Sequence, residues 1–236
     1  MKFPAPLIRG TLIKRYKRFM ADVTLENGDV VTAHCANSGS MISVNEPGAE
    51  VWVSPAQNPD RKLKFTWEMI RIKRSLVGIN TQHPNKLVAE AIEAGKIPEL
   101  TGFDNLRREV KYGKNSRIDI LLEMPGGKLC YVEVKNVTLR RDLTKGAPAE
   151  FPDGVTARGA KHLVELSDMV REGHRAVMFY LVQRGDADQM TIARDIDPTY
   201  GDTLDKARKA GVEVIAYNCK LTSKAITVAD TVDFLG

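Results

Sequence analysis

Two short apolar segments that carry three charged side chains constrain this chain more than any other feature of its sequence. The segments are residues 116–122 and 129–137, and a Pro-Gly-Gly turn separates them, so they predict a β-hairpin. Residues two apart in a strand point to the same face, which puts Glu133 and Lys135 side by side. If Asp119 lies next to them on the first strand, two carboxylates and an ammonium group converge.

This set of charges is suited to holding a divalent cation and to cutting a phosphodiester bond. Mg²⁺ prefers oxygen ligands and often takes only one or two carboxylates, which leaves positions for water and phosphate. A bound cation can stabilise developing negative charge and supply an activated water, while a neighbouring lysine orients that water or neutralises the phosphate. We therefore predict Asp119 and Glu133 as ligands of Mg²⁺ or Mn²⁺, with Asp119, Glu133 and Lys135 as catalytic residues.

The same charges also fit a purely structural hairpin. A Glu-x-Lys pair is most often a solvated ion pair that contributes little to stability. Here, however, Glu133 and Lys135 interrupt an apolar, β-branched strand, and Asp119 interrupts a second one. Charges in buried strands usually need a partner or a chemical role, so the functional interpretation stands beside the structural one.

The composition indicates a soluble globular protein with one large domain or two modest ones. The chain has 236 residues, of which 43% are hydrophobic and 28% charged, and its three cysteines form no CxxC motif. Its first residues lack the apolar stretch of a signal peptide, and no apolar run approaches the roughly 18 residues of a membrane span. We expect a reducing, cytoplasmic location and no membrane partner.

The excess positive charge lies in the first third of the sequence. Residues 1–82 hold 12 lysines and arginines against 7 acidic residues, whereas residues 83–236 hold 23 of each. Such an asymmetry predicts an anion-binding module in front of an electrically balanced one, although chance variation in surface charge gives the same pattern.

One basic segment in the first part combines cations with aromatic rings. Lys14–Phe19 has four cations and two aromatic residues, which is the combination that single-strand binders use to track a backbone and to stack bases. The alternative is a solvated basic strand whose two aromatic rings belong to the core. On the first interpretation, DNA contacts come from four residues of this segment, Arg15, Tyr16, Lys17 and Arg18.

The order of predicted elements divides the chain in two. Residues 7–80 predict five or six short strands with Gly and Pro turns, which is typical of a small barrel of the OB type. From His83 onward the predicted order is α-β-β-β-α-β-α-β, with helices at 84–94, 156–172 and 202–210. An antiparallel hairpin followed by a β-α-β crossover gives a mixed sheet with helices on both faces. We therefore predict a mixed α/β fold with domains at 1–82 and 83–236.

The second domain resembles the PD-(D/E)xK nuclease superfamily. The resemblance rests on Asp119 in the second strand and on Glu133-Val134-Lys135 in the third. The superfamily often adds a glutamate from the first helix, and Glu90 stands in that place in this sequence. The resemblance therefore implies Glu90 as a further catalytic and metal-binding residue.

A second resemblance spans essentially the whole chain. Arg15–Phe19, Asn37–Gly39, Glu109–Gly113, Tyr131–Lys135 and Arg158–Leu163 are similar to segments of the sugar fermentation stimulation protein A family. This resemblance implies a bacterial or archaeal DNA-binding protein with an OB-like domain, a nuclease-like domain and a link to sugar (maltose) metabolism.

Family membership of this kind does not establish cleavage, so two hypotheses of different class are open. The first is a Mg²⁺-dependent DNA nuclease that its basic barrel delivers to DNA. The second is a non-catalytic DNA-binding regulator that retains the nuclease fold. A weaker third hypothesis treats the barrel as a protein-interaction module.

Three further residues are candidates for DNA contact. Asn37 starts a loop after a predicted strand, where backbone N–H groups can cradle a phosphate, although such loops are more often ordinary turns. Arg158 and Lys161 lie on the polar side of the second predicted helix, which flanks the active site in nuclease-like folds. Lys161 also fits an i,i+4 surface pair with Glu165. We expect His162 on the same helix to be structural.

Overall fold

The computed structural model describes residues 1–58, 60–113 and 116–236. Its first six strands form one sheet that is curled into a barrel. These strands are β1 (Ile8–Tyr16), β2 (Met20–Leu25), β3 (Val30–Cys35), β4 (Glu50–Pro55), β5 (Phe65–Ile72) and β6 (Ser75–Gly78).

The barrel closes through a pairing between strands that are not neighbours in the sequence. The sheet order is β3-β2-β1-β4-β5-β6, and a parallel pairing of β3 with β5 joins the two ends of the first five strands. Closure removes the exposed edges of β3 and β5. Alternate side chains fill the interior, among them the fully buried Val23, Val53 and Trp67.

The remaining elements build the second part of the chain. Its helices are α1 (Pro84–Glu93), α2 (Ala157–Arg171) and α3 (Pro198–Lys209). Its strands are β7 (Asn105–Tyr112), β8 (Ser116–Glu123), β9 (Leu129–Val137), β10 (Ala149–Phe151), β11 (Arg175–Val182), β12 (Gln189–Ile192), β13 (Glu213–Leu221), β14 (Ile226–Thr231) and β15 (Asp233–Phe234).

A mixed six-stranded sheet organises this second part. Its order is β14-β13-β11-β9-β8-β7, with β9, β11 and β13 parallel and the outer pairings antiparallel. One apolar cluster joins α1 to one face of the sheet, and a second joins α2 and α3 to the other. The predicted mixed α/β sheet with helices on both faces is confirmed.

The helix ends follow the sequence signals with one exception. Thr156 caps α2 by accepting a hydrogen bond from the Gly159 N–H, and Gly95 ends α1 in the left-handed region at φ 65°. The third helix begins at Pro198, four residues before the predicted start, because Asp197 caps it. The small sheet β10-β12-β15 was not predicted, since strands of two to four residues carry too little periodicity.

The barrel and the mixed sheet are packed against each other. The Met41 N–H donates to Asp153 Oδ2 at 3.0 Å, and the Gly78 N–H donates to the Gln183 carbonyl at 2.8 Å. Residues 1–7 cross to the second part, where the Phe3 N–H donates to the Lys224 carbonyl at 3.0 Å. This packing brings the barrel loop that starts at Asn37 close to the end of β9.

None of the helices in the described ranges has the length and apolar character required to cross a membrane.

Candidate active site

Asp119 lies where β8 and β9 begin to separate. The last paired residues of the two strands on this side are Ile120 and Val132. Beyond this pair the Asp119 side chain provides the hydrogen bond to the neighbouring strand, because its Oδ2 accepts from the Val134 N–H at 2.7 Å. Its Oδ1 accepts from Asn85 Nδ2 on α1 at 2.6 Å. The Asp119 carboxylate is therefore fixed from both sides beside β9.

Glu133 is the most buried charged side chain of the site, with 2% of its surface exposed. Its Oε1 accepts from Lys135 Nζ at 2.6 Å and also contacts His162 Nδ1. Its Oε2 is buried and has no hydrogen-bond partner among the described residues. One oxygen of this carboxylate is thus doubly bound and the other is left free.

His162 is held between Glu133 and Arg158. The ring is 4% exposed, and its Nε2 accepts from Arg158 Nε at 3.3 Å. A ring nitrogen that accepts a hydrogen bond carries no proton, so the proton is on Nδ1 and is donated to Glu133. The sequence alone predicts only a structural role for His162. The i,i+4 spacing of Arg158 and His162 was the available sign that both share one helical face.

The two carboxylates have opposite pKa shifts. Burial, followed by the charge of Glu133, raises the pKa of Asp119 to about 6, against the opposing effect of the Val134 N–H. Burial also acts to raise the pKa of Glu133, but the hydrogen bond from His162 and the charge of Lys135 outweigh it and lower that pKa. Two neighbouring carboxylates whose pKa values are shifted in opposite directions are typical of functional sites.

This arrangement fits a divalent cation at the free oxygen of Glu133 with Asp119 nearby. A cation there would give Oε2 the partner it lacks and would relieve the repulsion between two buried carboxylates. The described residues do not, however, bring three acidic, histidine or cysteine side chains together as a ready cluster. The protein would therefore contribute two carboxylates to such a cation, which is within the usual range for Mg²⁺.

Glu90 is not part of this group. Its carboxylate lies 2.7 Å from the amino group of Met1 and 3.8 Å from Lys86 Nζ. Five residues of helix separate it from Asn85, a rotation of about 140°, so the face of α1 that reaches Asp119 presents Asn85 instead. The expectation that Glu90 joins the metal ligands is corrected by this placement.

Arg15 and Asn37 bind the protein's own backbone rather than facing outward. The Arg15 guanidinium donates to the carbonyls of Arg18, Asn37 and Gly39 at 3.0 to 3.1 Å. Asn37 is 4% exposed, donates to the Ile79 carbonyl and accepts from the Gly39 N–H. Both side chains shape the loop through these hydrogen bonds, and direct contact of Arg15 and Asn37 with DNA stays a prediction.

The tip of the β1–β2 hairpin carries the exposed cations. Lys17 and Arg18 occupy the turn with φ values of 46° and 62°, and both are exposed. Phe19 beside them is 45% exposed. The Tyr16 hydroxyl donates to Asp22, and its ring lies beneath the ammonium group of Lys14. The free cationic and aromatic groups of this segment are thus at the turn itself.

A cavity of about 400 Å³ connects the barrel loop to the candidate active site. Its lining includes Ser38 and Gly39 from the barrel, Asn85 from α1, and Lys135 and Arg158. Arg158 is exposed, and its Nη atoms make no hydrogen bond within the described ranges. Lys161 points elsewhere, with its Nζ 3.2 Å from Ser116 Oγ and 3.4 Å from a Glu165 oxygen.

Comparison with known proteins assigns both parts of the chain to one family. Residues 82–225 match a family described as "Sugar fermentation stimulation protein RE domain", and residues 13–79 match one described as "SfsA N-terminal OB domain". A "Sugar fermentation stimulation protein homolog" of Paramagnetospirillum magneticum is 60% identical over 96% of this chain and 94% of its own. This chain belongs to the sugar fermentation stimulation protein family.

Other members of the sugar fermentation stimulation protein family also match this chain over nearly its full length. A homolog from Rhodospirillum rubrum is 59% identical over 94% of this chain and 93% of its own. The structure of Pyrococcus furiosus SfsA in complex with Ca²⁺ superimposes with a TM-score of 0.87, at 26% identity over 99% and 97% of the two chains. The predicted OB-like barrel followed by a mixed α/β domain is confirmed.

Replacing Asp119 with Asn should change how stability depends on pH. Because the folded pKa of Asp119 is raised to about 6, the native state holds this proton more tightly than the unfolded chain between about pH 4 and 6. The contribution of Asp119 to wild-type stability therefore falls as the pH rises through that window, and Asp119→Asn lacks this loss. The free energy of unfolding of the variant, relative to wild type, should rise by about 2 kcal/mol from pH 4 to pH 7.

Urea unfolding in EDTA across this pH range measures the difference. The variant has one acceptor oxygen in place of two and so loses one of the hydrogen bonds from Asn85 and the Val134 N–H, which offsets its stability, and the change of the difference with pH is the informative quantity. A difference between the two proteins that stays constant from pH 4 to 7 would contradict the raised pKa.

Proposed function

We propose that this protein binds DNA and hydrolyses its phosphodiester bonds with the help of Mg²⁺ or Mn²⁺. Residues 1–82 are the DNA-binding module in this proposal, and residues 83–236 are the catalytic one. In line with the names of its relatives, we also propose that its action on DNA contributes to the control of sugar metabolism. The P. furiosus relative that was solved with Ca²⁺ supports a divalent cation as the cofactor.

The observation that carries the proposal is the difference between the two oxygens of Glu133, of which only one has hydrogen-bond partners among the described residues. A purely structural Glu133–Lys135 pair would satisfy both oxygens, because a buried acceptor without a partner costs free energy. Here His162 and Lys135 both contact Oε1, and Oε2 is left buried and free. This is the arrangement expected of a carboxylate whose second oxygen is reserved for a cation.

Each neighbouring side chain has a defined task in this proposal. His162 fixes the orientation of Glu133, and the Val134 N–H and Asn85 fix Asp119. Lys135 is 15% exposed and lines the cavity, so its ammonium group can hold the attacking water or stabilise charge on the phosphate. A bound divalent cation would neutralise the phosphate and lower the pKa of a water molecule.

The chemical outcome is hydrolysis of one phosphate ester bond. The water oxygen forms a new bond to phosphorus, one ester P–O bond breaks, and the departing oxygen takes up a proton. In this proposal Arg158 binds a non-reacting phosphate oxygen, which is supported by its exposed guanidinium in the lining of the same cavity as Lys135.

A non-catalytic DNA-binding regulator is the second candidate. It is favoured by the position of Glu90, which leaves two rather than three acidic side chains at the site, and by the Lys135 ammonium, which neutralises Glu133 in the absence of a cation. Both candidates place DNA on the barrel and on the cavity, and they differ only in turnover.

Replacing Lys135 with Ala should separate catalysis from binding. Loss of the ammonium group removes stabilisation of the transition state, so cleavage should fall by about 10²- to 10³-fold while DNA affinity stays near that of wild type. The assay is cleavage of single-stranded, duplex and branched DNA with Mg²⁺ or Mn²⁺. Lys128→Ala, an exposed lysine in the turn of the same hairpin, is the matched control and should keep full activity.

Two outcomes would decide against the catalytic proposal. If wild type cuts none of these DNA forms with either cation, the regulator candidate takes its place. If wild type cuts and Lys135→Ala cuts equally fast, the active site lies elsewhere.

Replacing Lys17 and Arg18 with Ala should weaken DNA binding in a salt-dependent way. Each phosphate that a cation neutralises contributes about 0.9 to the slope of log affinity against log salt concentration for duplex DNA. Loss of two exposed contacts should therefore reduce that slope by about 1 to 2, measured by fluorescence anisotropy over a salt series. Lys206→Ala/Lys209→Ala removes the same charge from α3 and should leave the slope unchanged. An equal slope in both double variants would show that the hairpin tip does not touch the phosphates.

A further inference from the structure

A second cavity of about 750 Å³ lies next to the candidate active site. It is bounded by the end of β7, by Tyr131 of β9 and by one side of α2. The function proposed above assigns no metal ligand and no DNA contact to this cavity. Its volume is within the range of about 300 to 1,000 Å³ that ligand sites occupy. The question is which ligand its side chains are suited to bind.

Glu165 is a buried carboxylate in the lining of this cavity that lacks hydrogen-bond donors. The residue is 6% exposed, and neither of its two oxygens has a hydrogen-bond partner among the described residues. Its nearest cation is Lys161, with Nζ 3.4 Å from Oε1, and that side chain is half exposed. A buried acceptor in this state destabilises the folded protein unless a donor arrives.

Aromatic groups form another part of the lining. The rings of Tyr112 and Tyr131 both line the cavity and lie with their centroids 5.5 Å apart, and the ring of His174, outside the lining, packs 5.6 Å from that of Tyr131. The Tyr112 hydroxyl is buried without a hydrogen-bond partner in the described part of the chain. The cavity therefore combines aromatic walls, a free carboxylate and a free hydroxyl.

The cavity lies close to the catalytic carboxylates. Lys161 Nζ is 3.2 Å from Ser116 Oγ, and Ser116 begins the strand that carries Asp119. Burial raises the pKa of Tyr112, and the charges of Glu133, Glu165 and Asp119 raise it further, so its hydroxyl is within electrostatic reach of both the active-site carboxylates and Glu165. A group bound here would be a near neighbour of the phosphate at the active site.

We propose that this cavity receives one unstacked nucleobase of the DNA substrate and that Glu165 selects guanine there. The proposal rests on the function proposed above, because it assumes that DNA is the substrate. Nucleobases that leave the stack are recognised by aromatic stacking and by hydrogen bonds to their Watson–Crick edge. The aromatic walls and the free polar groups of the cavity provide both kinds of contact.

Guanine is favoured because Glu165 presents two acceptors. The Watson–Crick edge of guanine has two adjacent donors, the N1–H and the N2 amino group, which match the two oxygens of one carboxylate. Adenine and cytosine place one amino group beside an acceptor nitrogen, and thymine has a single N–H between two carbonyls. Only guanine therefore satisfies both free oxygens of Glu165.

Lys161 would change partners when the base enters. Its ammonium group is within 3.4 Å of Glu165 in the free protein, and its exposed side chain can turn toward solvent. Once guanine donors replace it, Lys161 is free to bind a phosphate beside the base. After the exchange Glu165 accepts two hydrogen bonds from the base and Lys161 pairs with a phosphate, so both charged groups keep a polar partner.

The test compares binding of oligothymidine strands that carry one guanine or one hypoxanthine, which lacks the N2 amino group. Single strands avoid the cost of unstacking a duplex, and EDTA prevents cleavage. By fluorescence anisotropy, wild type should bind the guanine strand about tenfold more tightly. Glu165→Gln should reduce the preference to about twofold or less. Its melting temperature should stay near that of wild type, because the ion pair with Lys161 that it removes is half exposed and contributes little to stability.

A matched variant at the cavity rim serves as the control. Glu172→Gln makes the same change at an exposed position of the cavity rim and should keep the preference. Equal affinity of wild type for the two strands, or an unchanged preference in Glu165→Gln, would overturn the guanine pocket while leaving the proposed function in place. A wild type that binds neither strand nor duplex DNA would instead overturn the proposed function, and the pocket with it.

Discussion

A charged carboxylate in the middle of a buried sheet is the constraint on which the rest of this site depends. Glu133 lies on β9, a central strand with β8 on one side and β11 on the other, so water does not solvate it. Isolated burial of such a charge is prohibitive unless partners compensate it. Lys135 and His162 supply that compensation at one oxygen only, and the other oxygen is the reason to infer a cation.

The surrounding architecture can be understood as support for that one group. The parallel pairing of β9 with β11 fixes the strand, and α2 packs on the face that carries Glu133, which brings His162 and Arg158 to it. On the barrel side, Arg15 binds the carbonyls of the loop that starts at Asn37 and so shapes one wall of the cavity. The barrel is therefore a part of the site as well as a carrier of positive charge.

Much of the fold could be predicted because its signals are local. The hairpin with Asp119 and Glu133 is visible in strand alternation, and two of the three helix starts follow from capping and proline signals. The small sheet of β10, β12 and β15 could not be predicted, since its strands are short and come from distant parts of the chain.

The charged residues of the site could be predicted from the sequence, but most of the side chains that they contact could not. The contacts of Lys135 with Glu133 follow from a two-residue spacing, which is a local property. The replacement of Glu90 by Asn85 depends on how α1 is rotated against the sheet, and periodicity alone leaves that rotation open. The hydrogen bonds of Arg15 reach a loop that starts at Asn37, more than 20 residues away in sequence. The sequence has no signal that predicts this contact.

The most direct test of this account is to locate the cation itself. Crystals soaked in Mn²⁺ would show its position through anomalous scattering. The account predicts one strong peak in contact with Glu133 Oε2 and the Asp119 carboxylate, with Oε1 still bound by His162, and no peak at Glu90. A peak that avoids Glu133, or no peak at a concentration that supports DNA cleavage, would contradict the claim that the free oxygen is reserved for a metal.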